Sequence, residues 1–129
     1  MRAWNWDLPT LVDRAFGADG LRRRLSDRLP SSLEAAALCR QVQASGGFAA
    51  VVHRGDEDRG DLVVQIVEKG RNVARLERRL SQDFAYRWAR MPDEPFSAAD
   101  RARIDPDFWL IELDVADAER FIAEMISAG

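Results

Sequence analysis

A chain of 129 residues is the size of one domain, and it buries enough surface to hold a core without disulfide staples. With 47% hydrophobic residues, 32% charged residues and a net charge of −3, the balance is ordinary and points to neither a nucleic-acid nor a membrane partner. The lone cysteine, Cys39, excludes an intrachain disulfide framework, and no apolar run approaches the ~20 residues that span a bilayer.

The N-terminal MRAWNWDLPTLV lacks the unbroken apolar core of a signal peptide, because Asp7 and Pro9 interrupt it, so the expected location is cytoplasmic. Asp7 can cap a helix to about Phe16, with Leu8, Leu11, Val12, Ala15 and Phe16 on one stripe and Gly17 at its end. A second short helix is expected from Leu21 to Leu29, ended by Pro30. Together with Trp4 and Trp6, the first stripe is too apolar to stay solvated, which predicts that an N-terminal arm, residues 1–27, packs on this chain or on a partner chain.

Ser31-Ser32-Leu33-Glu34 reads as a capping box, Ser31 as N-cap and Glu34 reaching back, for a helix to about Ser45 that stops at Gly46-Gly47. Four strand-like runs follow: Phe48–His53, Leu62–Glu68, Val73–Leu80 and Phe84–Arg90. Short, turn-rich linkers join them, which predicts an antiparallel meander. After a break at Pro92 and Pro95, Ser97 caps a short helix to about Ile104, Asp105-Pro106 ends it, and Phe108–Leu113 forms a fifth strand. A last helix carries Val115, Ala118, Phe121, Ile122, Met125 and Ile126 on its buried stripe. The fold class is therefore α+β, one domain with a four- to five-stranded antiparallel sheet and helices packed mainly on one face.

The chain from RLPSSLEAAALCR through GGFAAVVHRGDEDRG to RIDPDFWLIELDVADAERFIAEM resembles a family of short bacterial proteins catalogued as domain of unknown function 1491. The features that carry the resemblance are RLPS, the GG before the first strand, the RGDxDxG loop, Trp88 and DPDxWxxELD, over about residues 28 to 127. It implies a bacterial cytoplasmic protein with no assigned activity, so no catalytic residue is carried over.

Three chemistries are weighed on the residues themselves. Asp56 and Asp58 have the alternate spacing of a calcium loop, but Asp61 and Val67 stand where Gly and Glu are needed, and His53 has no companion ligands for zinc. No metal or other cofactor is expected. Asp56, Asp58, Asp105 and Asp107 could serve a small carboxylate-based hydrolase, but such acids more often cap turns and helix ends. Residues 71–90 hold six Arg against Glu77 and Asp83, whereas residues 91–129 hold three Arg against ten acids. Arg71, Arg75, Arg78, Arg79 and Arg87 with Tyr86 and Trp88 could form an Arg/aromatic sheet face for RNA or single-stranded DNA. That reading requires one continuous exposed patch free of carboxylates.

The leading expectation is a non-enzymatic binding or accessory module, with a homodimer among its partner arrangements. Tracing the meander puts the GDEDRG loop and the DPD turn at one end of the sheet. The fifth strand is expected on the free edge of the first. Arg54, Arg59, Arg101 or Arg103 should then contact an Asp of the other motif, making a polar cluster with Asp56, Asp58, Asp105 and Asp107.

Overall fold

The computed structural model describes residues 30–128, and the helices and arm expected over residues 1–29 lie outside the described residues. The elements in chain order are α1 (Ser31–Ala44), β1 (Phe48–His53), β2 (Leu62–Glu68), β3 (Arg71–Leu80), β4 (Tyr86–Arg90), α2 (Ala98–Ile104), β5 (Trp109–Asp114) and α3 (Ala118–Ala128). The α+β class holds. The sheet has the order β1-β5-β2-β3-β4, and every pairing is antiparallel except β2 with β5, which run parallel.

The position of β5 corrects the expected topology. It does not sit on the outer edge of β1 but fills the space between β1 and β2, antiparallel to the first and parallel to the second. The reason lies in its side chains. Phe108, Trp109, Leu110, Ile111 and Leu113 are all buried, so both faces of this strand are apolar, as a central strand requires and an edge strand does not. The segment from residue 54 to 61 is thus no hairpin loop. It bridges over the start of β5, a span of about 9–10 Å at twice the usual strand spacing.

The core divides across the sheet. On one face, Ala35, Leu38 and Val42 of α1 and Ala118, Phe121, Ile122 and Met125 of α3 pack on Leu62, Val64, Ile66, Leu76, Trp88, Trp109, Ile111 and Leu113. On the other, Val63, Phe108 and Leu110 meet Phe96, Ala98 and Ala102, so α2 and its lead-in cover part of the second face. Ile126, expected in the α3 stripe, is exposed.

Three turns differ from expectation. Lys69 and Gly70 both have positive φ, 52° and 77°, which makes a two-residue turn and lets β3 begin at Arg71. The N-terminus of α1 has no capping box. Pro30 occupies the cap position, the amide hydrogens of Ser31 and Ser32 donate to the carbonyls of Asp58 and Glu57, and the Ser31 hydroxyl donates to Gly60 O at 2.6 Å. Glu34 is buried at 2% exposure with Oε2 3.6 Å from Arg78. The long loop thus supplies the acceptors that a capping side chain would otherwise provide.

In the third turn, Phe84 has φ 62° and is 82% exposed, so it is a turn residue and β4 starts only at Tyr86. Phe84, Tyr86 and Trp88 therefore do not share one strand face as expected. The turn is held by Asp83, whose carboxylate meets the Ser81 hydroxyl, Arg87 at 2.8 Å and the Ala85 amide. The Ser81 hydrogen bond, then Arg87, then Ala85 pull its carboxyl from 3.8 to about 2. Because this value is depressed, the turn's stabilisation is full above the ordinary carboxylate range and is lost as pH falls through about 2. A carboxyl NMR titration should show the Asp83 midpoint near 2, and a midpoint near the ordinary value would exclude this arrangement.

Candidate functional site

The sequence motifs meet in one place. Gly55 and Gly60 of the bridging loop press on the Asp107 carbonyl so closely that a Cβ on either would lie 2.0 and 1.9 Å from that oxygen. Asp56 N–H donates to Asp107 O at 2.9 Å, Trp109 N–H donates to Asp61 O at 2.7 Å, and the Trp109 indole donates to Asp56 O at 2.7 Å. His53 stacks on Phe108 at 4.5 Å and donates from Nδ1 to Phe108 O at 2.7 Å. With Ser31 bonded to Gly60 O, the RLPS serine, the RGDxDxG loop and the DPDxW turn form one junction over the start of β5.

Of the carboxylates expected to cluster there, Asp56 and Asp105 have separate partners. Asp56 Oδ2 accepts the amides of Asp58 and Arg59 and so closes its own loop. Asp105 lies 3.8 Å from Arg101, which also reaches Asp61 at 3.7 Å. Arg54 stands over the Trp109 ring at 5.3 Å and 4.0 Å from Glu57. The expected side-chain latch among Asp56, Asp58, Asp105 and Asp107 is replaced by backbone hydrogen bonds, because the glycines let the two main chains come into contact. Arg101 ties the DPD turn to the end of the loop through side chains, since it reaches both Asp105 and Asp61.

The Arg/aromatic set is split between the faces of the sheet. Arg78 lies on the α1 face, over Trp88 at 5.3 Å and beside Glu34, and Trp88 itself is buried in the core. Arg75 and Arg79 lie on the opposite face, 3.5 and 3.6 Å from Glu77, and Arg87 pairs with Asp83. Arg71 is exposed at the start of β3, and Tyr86 is half-buried. The set forms no single exposed patch, and four of its arginines contact carboxylates.

A concavity does lie beside β3. The β3–β4 ladder pairs Leu76–Leu80 with Tyr86–Arg90, and Met91 N–H adds one bond to Arg75 O. Pro92 and Pro95 then follow, and neither can donate to a ladder, so the chain leaves β3 and crosses to the α2 face. The first residues of β3 are left without a partner strand on that side. The register between β2 and β3 also shifts here, leaving Val73 as the extra residue of a bulge. The result is an open cleft of about 470 Å³, lined by Gln65, Asn72, Arg75, Arg90, Met91 and the 92–96 segment.

Arg75 is the mostly buried cation of this cleft, which Arg90, Asp93 and Glu94 also line. Its side chain is 12% exposed, and its guanidinium is held over the Phe96 ring at 4.6 Å. Its buried Nε finds no hydrogen-bond acceptor, since Glu77 Oε2 at 3.5 Å is poorly aligned. Gln65 Nε2 donates to Ala74 O, which leaves its amide oxygen as an acceptor. Across the cleft, Arg90 makes a bidentate pair with Glu119 of α3 at 2.9 and 3.2 Å, which raises the arginine and lowers the carboxyl. Glu77, 7% exposed, carries the charge of Arg75 onward to Arg79 and, through two contacts of 3.3 and 3.4 Å, to Arg101.

Sequence reasoning named Arg75 for a different surface and did not single out Gln65 or Phe96. The available signal was a proline pair placed directly after a strand shorter than its neighbour. Among the described residues no three His, Cys, Asp or Glu side chains are grouped to hold a metal ion. Burial pushes the Cys39 thiol up, away from the thiolate. No helix among the described residues is long and apolar enough to cross a membrane.

Residues 29–123 match the family described as protein of unknown function (DUF1491). The chain is similar to a DUF1491 family protein from Caulobacter crescentus CB15, solved by crystallography and by NMR. Identity is 29% in both cases, with TM-scores of 0.63 and 0.62, over 72% of this chain and 94% and 91% of those chains. A solution structure of a protein from A. tumefaciens is 25% identical, with a TM-score of 0.56, over 70% of this chain and 89% of that one. No curated protein matches the chain.

Proposed function

The chain belongs to DUF1491, a family described only as proteins of unknown function, and from its own geometry we propose that it is a non-enzymatic binding module whose ligand enters the cleft over Arg75. The observation that carries this reading is the guanidinium itself. A nearly buried cation is costly to keep with a donor unsatisfied, and Arg75, whose Nε has no hydrogen bond beside Glu77, is held over Phe96 and lines an open cleft. The volume is in the range of small-molecule sites. The acids weighed for hydrolysis support the same reading, since Asp56 is engaged by its own loop amides and Asp105 by Arg101. The test is a ¹⁵N NMR screen of the full chain against anionic, cationic and neutral fragments. The expected result is a binder that perturbs residues 72–75 and 91–96, and a screen in which no fragment moves these resonances overturns the reading.

A second reading, the homodimer, rests on β1. Its outer edge, FAAVVH, carries no charged residue and no proline, with Phe48 68% and Val52 55% exposed. The opposite edge strand, YRWAR, carries Arg87 and Arg90. Among the described residues no strand pairs with this edge, and an edge without charge or proline accepts a further strand, which a second copy of itself supplies with twofold symmetry. Sedimentation equilibrium should show a dimer that Val52→Lys converts to a monomer. A wild-type chain that stays monomeric at high micromolar concentration excludes it.

A further inference from the structure

Resting on the binding-module reading, we infer that the ligand is an N-acylated α-carboxylate, the chemistry of a peptide C terminus or of a free N-acyl amino acid, with its carboxylate on Arg75. Three features of the cleft lead to this. First, the Arg75 guanidinium lies over Phe96 and 3.5 Å from Glu77, and its buried Nε has no hydrogen-bond partner. A planar fork of donors held flat in this way fits a carboxylate bidentately.

Second, the charge of the site disfavours a dianion. Arg90 is already neutralised by Glu119, and Asp93 and Glu94 line the same cleft. These acids oppose the double charge of a phosphate monoester more strongly than the single charge of a carboxylate, which the Arg75 donors must hold against them.

Third, the remaining polar groups call for an amide next to that charge. Gln65, which lines the cleft, donates its Nε2–H to Ala74 O and so keeps Oε1 as an acceptor. Asn72 offers both a donor and an acceptor, and the start of β3 has no partner strand on this side. An acyl N–H adjacent to the carboxylate finds its acceptor there, and an extended chain leading away from it finds a free strand edge. Pro92, Pro95 and Phe96 supply apolar wall for the side chain.

The experiment titrates the ¹⁵N-labelled full chain with N-acetyl-alanine, with a five-residue alanine-rich peptide bearing a free C terminus, with that peptide amidated, and with inorganic phosphate. The free acids should move the Arg75 Nε–H, the Gln65 side-chain amide and the Asn72 signals, while amidation should weaken binding ~10-fold or more through loss of the charge-assisted pair. Arg75→Gln should reduce affinity for the free acid by a similar factor and leave the amidated peptide unaffected. Phe96→Leu, which keeps the apolar contact with α2 but removes the ring under the guanidinium, should weaken the free acid several-fold and serves if Arg75→Gln fails to fold. A peptide that binds more tightly than N-acetyl-alanine supports the assignment with a polypeptide source, and equal affinities support it with a small-molecule source. Equal affinity for acid and amide, or phosphate binding at the cleft as tightly as the free acid, overturns the carboxylate while leaving the cleft as a binding site. Cleft resonances that respond to none of these probes, nor to neutral or cationic fragments, overturn the binding reading as well.

Discussion

Gly60→Ala is expected to destabilise the protein by about 3 kcal/mol, a loss of roughly 10 °C in melting temperature for a domain of this size. The added methyl would stand 1.9 Å from the Asp107 carbonyl and 2.8 Å from the Trp109 ring, and neither can step aside alone. Asp107 O accepts the Asp56 amide, and the Trp109 indole is bonded to Asp56 O, so relief means withdrawing the whole loop from β5. Withdrawal also removes the acceptors at Asp58, Glu57 and Gly60 that satisfy the start of α1. Gly46→Ala is the control. Gly46 has φ +91° but nothing within 4 Å of a Cβ, so only backbone strain of about 1 kcal/mol is expected. Guanidinium chloride unfolding of both variants checks the comparison. Equal losses at the two positions would show that the loop does not rest on β5 as described.

That junction explains what was legible in the sequence and what was not. Local signals placed the elements well: Ser97 caps α2 through the Asp100 amide, Gly46 ends α1, and the apolar runs of β1 and β2 begin and end where the strands do. Local signals do not fix which strand lies beside which. GDEDRG, Gly55 to Gly60, reads as a hairpin linker because it is rich in Gly and Asp, yet the residues between β1 and β2 exceed the two to five of an ordinary hairpin. The unbroken apolar character of Phe108 to Ile111 was the complementary signal, since it demands cover on both faces.

The candidate site was less legible still. Arg75 was identified by residue type, but its role depends on Phe96, 21 positions away, and on a proline pair that turns the chain over it. Strict alternation along β3 puts Arg75 and Arg79 on one face and Arg78 on the other, against the single Arg/aromatic face expected of them. It cannot show that Glu34 awaits Arg78 on one face and Arg101 approaches Glu77 on the other.

Glu77→Gln is the second substitution expected to have a large effect. Its carboxylate lies between Arg75, Arg79 and Arg101, and Arg101 in turn reaches Asp61 and Asp105, so one side chain joins the cleft to the motif junction. The neutral amide keeps the shape but removes the charge, leaving three guanidinium groups facing one another. Removing one partner from a buried ion pair costs about 3–5 kcal/mol, and the solvent exposure of Arg79 reduces this, so a loss of about 2–3 kcal/mol is expected. The mechanism has its own signature. Repulsion among the arginines is screened by added salt, so the stability gap between Glu77→Gln and the wild type should narrow as sodium chloride rises from low to molar concentration. A gap caused by lost packing would stay constant. Urea unfolding at both salt concentrations distinguishes the two, because urea, unlike guanidinium chloride, leaves ionic strength unchanged. A loss below about 0.5 kcal/mol at low salt would mean that the three arginines are balanced by solvent and not by Glu77.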